Sequence, residues 1–87
     1  MNNYKTEILN KICYTELVYE RINKKLNTEL SKNKIEEMIL KLIQDTDEAE
    51  FHKIGKNIYV TNNEKQVRLT INSNNYRIIT VDKCNQQ

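Results

Sequence analysis

Proline is absent from this chain, and glycine occurs once among 87 residues. That composition excludes a disordered linker rich in either residue. With one glycine there is no glycine-rich phosphate loop, which sets aside nucleotide-dependent enzymes. One histidine, His52, and two cysteines, Cys13 and Cys84, with no C-x-x-C pair, argue against a structural zinc site. No metal and no cofactor is expected. No apolar run approaches the ~20 residues that span a bilayer. The opening residues, Met-Asn-Asn-Tyr-Lys-Thr-Glu, lack the basic-then-apolar pattern of a signal peptide. A cytoplasmic protein with two free thiols is therefore the expectation, with Cys84 exposed.

What is present points to one domain over residues 1–87, helical over 3–49 and a sheet over 50–83. A chain of this size buries only about 60–65% of its unfolded surface, so modest stability is expected. The formal charge is +2, unevenly spread. Residues 1–49 carry eight Lys/Arg against nine Asp/Glu, and residues 50–87 carry six against three. The sheet half is mildly basic, too weakly to imply nucleic acid by itself.

The sheet organises the rest. Glu50 to Ile54 reads as a first strand, and Gly55-Lys56-Asn57 as a tight connection. Ile58 to Thr61 is rich in β-branched and aromatic residues. Asn62-Asn63-Glu64-Lys65 supplies a turn. Val67, Leu69 and Ile71 then alternate with Arg68, Thr70 and Asn72, the period of a half-buried strand. After Asn72-Ser73-Asn74-Asn75, the segment Tyr76 to Asp82 carries apolar residues on both parities. Short connections predict an antiparallel meander. Alternation assigns Ile58, Val60, Val67, Leu69, Ile71, Ile79 and Val81 to an inner face. It assigns Tyr59, Thr61, Arg68, Thr70, Tyr76, Ile78 and Thr80 to an outer one. A polar, β-prone outer face is also what an ordinary solvated sheet shows.

Before the sheet, Asn3 to Cys13 reads as a helix with Tyr4, Ile8 and Ile12 on one stripe, widened by Leu9. Thr15 suits an N-cap for a helix from Glu16, with Val18, Ile22 and Leu26 buried and Leu17 beside them. Asn27 to Lys32 reads as a connection with Leu30 turned inward. Asn33 with Glu36 resembles a capping box, and Ile35, Met38, Ile39, Leu42 and Ile43 follow the helical template. This third helix should cross the inner sheet face. Asp45, Asp47 and Glu48 sit at its negative end, where fraying is expected. The fold class expected is α+β: two to three N-terminal helices on one face of a four-stranded antiparallel meander.

Several of these segments resemble a known family. They are Thr15-Glu16-Leu17, Glu20-Arg21-Ile22 and Leu26, then Gly55-Lys56-Asn57-Ile58-Tyr59-Val60, Leu69-Thr70-Ile71-Asn72 and Tyr76-Arg77-Ile78-Ile79-Thr80. In this order they resemble a family of small bacterial proteins described only as a domain of unknown function, over roughly Ile8 to Lys83. The resemblance implies the fold and carries no activity. Val18 departs from the pattern, because a glycine commonly stands there, which implies a different start to the second helix. The stretch Tyr76-Arg77-Ile78-Ile79-Thr80 alone is similar to the closing strand of barnase, colicin and RelE-type ribonucleases. Fold analogy does not establish activity.

Chemistry is sparse. A metal-free ribonuclease needs an acid, a base and a cation for the phosphorane. His52 would be acid or base, Arg68 the phosphate clamp and Tyr59 a stacking platform. Against this, His52 falls on an edge strand. Glu50, Glu64 and Asp82 fall at strand ends with no evident dyad, and Glu36-Glu37 reads as a solvated helix face. Tyr59, Arg68, Thr70, Tyr76 and Thr80 form the candidate binding set, because tyrosine and arginine dominate contact hot spots. Direct nucleic-acid binding is weakly supported, and helices without a basic polar face argue against a membrane surface. The reading is a small non-enzymatic binding protein. It would be an inhibitor or adaptor of the kind phages and mobile elements direct against host defence, acting on a protein or protein–nucleic-acid partner. The alternative is a metal-independent ribonuclease toxin of the barnase and RelE type.

Overall fold

A computed structural model describes residues 4–84. Three helices precede a four-stranded sheet: α1 (Tyr4–Lys11), α2 (Glu16–Leu26), α3 (Lys32–Asp45), a single 3₁₀ turn (Glu48–Glu50), then β1 (Phe51–Ile54), β2 (Asn57–Asn62), β3 (Val67–Asn72) and β4 (Ile78–Lys83). The strands run in order β1-β2-β3-β4, every neighbour antiparallel. The α+β meander expected from the sequence is the fold observed.

One apolar cluster holds it together. Ile8 of α1, Val18, Ile22 and Leu26 of α2, and Ile35, Ile39, Leu42 and Ile43 of α3 meet Ile58, Val60, Leu69, Ile71, Ile78 and Val81 of the sheet. Each buried aliphatic side chain stabilises by roughly 1.5–3 kcal/mol relative to exposure. All three helices therefore lie on one side, and the other sheet face carries no helix. Val18 is 2% exposed, and α2 begins at Glu16 as its own sequence suggests, so the missing family glycine does not shift the helix start. Thr15 holds the N-cap position in extended geometry, although its side chain makes no cap bond. Leu17 is 70% exposed, not beside the stripe.

Several boundaries differ from the sequence expectation. The first helix stops at Lys11, and Cys13 joins the sheet through a parallel bridge to Arg77. Cys13 N–H donates to the Tyr76 carbonyl at 3.0 Å, and Ile78 N–H donates to the Cys13 carbonyl at 3.0 Å. Asn3 lies outside the described residues. The cap of α3 is Ser31, whose hydroxyl accepts from Lys34 N–H at 3.2 Å, so Asn33 lies inside the helix. The far end of α3 does not end loosely. Buried Thr46 donates to the Leu42 carbonyl at 2.6 Å, and the Asp47 carboxylate caps the 3₁₀ turn through Ala49 N–H. Glu50 belongs to that turn, and β1 begins at Phe51.

The β1–β2 hairpin turns through Gly55, whose φ of +62° lies in the left-handed region that favours glycine. The β3–β4 pairing has an irregularity after Thr70: Thr70 faces Thr80, but Ile71 faces Ile78. One residue, Ile79, is thereby extra, as in a bulge. This reverses the expected parity. Ile78 points inward and is 2% exposed, while Ile79 is only half-buried. The free side of β4 is met by α2, where Arg21 donates to the Ile79 carbonyl at 3.3 Å and Lys25 pairs with Asp82 at 3.3 Å.

Candidate functional site

The helix-free face is built from rows of cross-strand neighbours. His52 pairs with Tyr59, Tyr59 with Thr70, and Thr70 with Thr80. In the adjoining row Thr61 pairs with Arg68, and Arg68 with Asp82. Period-two alternation puts these side chains on the same face because Ile58, Val60, Leu69 and Val81 occupy the other. His52 and Arg68 are exposed, and Ile54 at the end of β1 is 66% exposed.

These residues enclose an open hollow of about 340 Å³ lined by His52, Ile54, Tyr59, Thr61 and Arg68. The Arg68 guanidinium lies 5.7 Å from the Tyr59 ring centroid, a cation–π arrangement. Asn57 donates to the Tyr59 hydroxyl at 3.3 Å, which fixes the far end of the ring. Asp82 stands opposite Arg68 in register, but its ion pair is with Lys25. Arg68 thus has no acidic partner among the described residues, and its donors are free for a ligand. The hollow itself is lined by no carboxylate.

Of the sequence candidates, Tyr59 and Arg68 come together, with His52 beside them. Thr70 and Thr80 adjoin but do not form a rim. Thr70 is 6% exposed, and the Thr80 hydroxyl is buried without a hydrogen-bond partner. Tyr76 is not on this face. It adopts φ +58°, outside β4, and its hydroxyl donates to Glu7 at 2.9 Å. That bond, followed by partial burial, raises its pKa. Lys11 lies 5.4 Å from its ring, so Tyr76 belongs with α1. The stretch compared with a ribonuclease closing strand is accordingly a strand only from Ile78.

Sequence reasoning missed Ile54 as a contact residue. It also missed a second hollow, lined by Asp45, Thr46, Asp47, Glu50, Thr61, Asn62, Asn63 and Glu64. Glu50 and Glu64 are distant in sequence, and only the return of β2 past the end of α3 brings them together. No group of His, Cys, Asp and Glu among the described residues is arranged to hold a metal ion. Both cysteines are free; Cys13 is exposed, and Cys84 is half-buried, not exposed as expected.

A second cluster of ionisable groups lies on the helical side. Tyr14 and Tyr19 stack with centroids 5.7 Å apart, and Tyr19 donates to Glu36 at 2.6 Å. Burial and then the Glu36 bond push the Tyr19 pKa up to about 12. Burial and the Glu36 charge also push Tyr14 well above the ordinary phenol range. The Tyr19–Glu36 bond ties α2 to α3.

The molecule is thus an α+β protein whose meander leaves one face open, with an aromatic–guanidinium hollow toward its β1 edge. The chain belongs to the family described as protein of unknown function (DUF3781), whose model matches residues 6–82. No curated protein and no solved structure matches it. Among the described residues no helix is long and apolar enough to cross a membrane.

Proposed function

We propose that this is a non-enzymatic binding protein that engages a protein, alone or within a protein–nucleic-acid complex, through the open sheet face. The observation that carries the reading is Arg68 held 5.7 Å over Tyr59 with no acidic partner among the described residues. A rigid aromatic ring, a free guanidinium fork and exposed Ile54 make up hot-spot chemistry on a flat, solvated surface. Inhibitor or adaptor is the form that suits so small a chain, and the phage and mobile-element setting rests on size and composition. A photo-crosslinker placed at Ile54 in producing cells tests it. Discrete adducts that vanish with Arg68→Ala are expected. Adducts formed only from exposed Leu17 would move the interface to the helical side.

A second reading is favoured by one observation: His52, Tyr59 and Arg68, the ribonuclease candidates, line the same hollow. No carboxylate accompanies His52 there, so an acid–base pair is incomplete. Purified protein incubated with RNA in EDTA decides the matter. No cleavage is expected. Cleavage slowed roughly 10²–10⁴-fold by His52→Ala would establish the ribonuclease instead.

A further inference from the structure

We infer that the open sheet face is self-complementary: a second copy of this chain docks on it with Arg68 of each copy set against Glu50 of the other. The inference rests on that face being the contact surface, and it adds an occupant that competes with any other partner.

The charge pattern carries it. Thr61 lines both hollows and separates them. On one side lie Asp45, Asp47, Glu50 and Glu64; on the other lie Arg68 and His52. The β1–β2 register sets Phe51 opposite Val60, and Glu50, the last residue of the 3₁₀ turn, precedes Phe51 and lines the same hollow as Thr61. Thr61 in turn pairs with Arg68. Glu50 and Arg68 therefore flank Thr61, one from the β1 side and the other from β3. Strands lie about 4.8 Å apart, so the two backbones stand roughly 10 Å from each other, and no ion pair joins Glu50 to Arg68 among the described residues.

Neither charge has an ion-pair partner among the described residues. The nearby Asp82 and Asp45 are paired with Lys25 and Lys65. A twofold axis running along β2, between two stacked faces, carries β1 of one copy over β3 of the other. That operation sets Glu50 against Arg68 twice and Tyr59 against its own counterpart, which is what an isologous interface requires. A single-stranded nucleic acid fits less well. A phosphate chain leaving Arg68 past Thr61 would meet the carboxylates of the second hollow. The face is small, built of strands of four to six residues. Its area falls toward the low end of the interface range, so the dimer should be concentration-dependent. Exposed ion pairs should also make it sensitive to salt.

Sedimentation velocity over a range of concentrations tests this. Wild-type protein should shift from monomer to dimer as concentration rises, and back as salt is added. Arg68→Glu and Glu50→Arg should each weaken association at least tenfold. An equimolar mixture of the two variants should associate again, because each contact in the mixed pair unites opposite charges. The double variant Glu50→Arg/Arg68→Glu should dimerise on its own. Circular dichroism melts confirm that each variant folds, and Arg68→Ala with Glu50→Gln substitutes for any that does not. Wild type that stays monomeric at every concentration, or a mixture that fails to associate, overturns the inference. Such a result with the Ile54 adducts intact leaves the contact face standing for another partner. Loss of both removes the face itself.

Discussion

Asn62 donates to the hydroxyl of Thr46 at 3.0 Å, both side chains being buried. The link joins the end of β2 to the end of α3. The Thr46 hydroxyl also donates to the Leu42 carbonyl, and the Asn62 side-chain oxygen accepts from Lys65 N–H at 2.8 Å. Thr46→Val keeps the shape but orphans a buried amide. It should destabilise the protein by about 1–3 kcal/mol, the desolvation cost of an unpaired group. Denaturant unfolding measures this directly. A midpoint equal to wild type would mean that water replaces the lost partner.

Alkaline pH should unfold the protein through Tyr19. Its pKa rises from an ordinary 10.0 to about 12, through burial and then the bond to Glu36. A group whose folded pKa is raised contributes stability fully below its unfolded value and loses it as pH climbs through the folded one. Stability should therefore fall between pH 10 and 12, where only the unfolded chain has lost this proton. Melting temperature followed across that window should decline less steeply in Tyr19→Phe. Equal slopes for the two proteins would discount the Glu36 bond.

Ile39 sits at the centre of the buried stripe of α3 and is wholly buried. Ile39→Ala should cost about 2–5 kcal/mol, a large share of a small domain's stability. A thermal melt within a degree of wild type would contradict its place in the core.

The two thiols should titrate unequally. Cys13 is exposed and Cys84 half-buried, and neither is bridged. Untreated and freshly reduced protein should give the same thiol count with a chromogenic disulfide, with Cys13 reacting first. A mass two hydrogens lighter in untreated protein would reveal a bridge.

Much of the architecture was legible because its signals are local. Val67, Leu69 and Ile71 declare a strand by alternation, and Ile35, Ile39, Leu42 and Ile43 declare a helix by period. The failures come where a distant segment decides. Ile78 and Ile79 are chemically alike, and only pairing with β3 determines which becomes the extra residue of the bulge. Tyr76 reads as a strand residue. Yet Asn72 ties the turn, accepting from Asn74 and Asn75 N–H through its side chain and from Tyr76 N–H through its carbonyl. The tyrosine is left at positive φ. Ser31, not Asn33, is the cap because α3 starts two residues earlier than the Asn33–Glu36 capping box suggests. In the candidate site, Tyr59 and Arg68 were foreseeable from parity. The acidic neighbour was not, because Asp45 and Glu64 meet only in three dimensions.

The bridge between Cys13 and Arg77 also constrains when the protein can fold. It ties the first fifth of the chain to the start of its fourth strand, and α2 is tied by its polar side chains to β4. During synthesis the helices leave the ribosome with the apolar stripe that meets the sheet uncovered until the strands emerge. Contacts of such long sequence separation also slow folding. The nascent chain is therefore expected to stay protease-sensitive until β4 has emerged. A ribosome-stalled chain lacking residues 76–87 but protected from proteolysis would show that the helices organise without their closing strand.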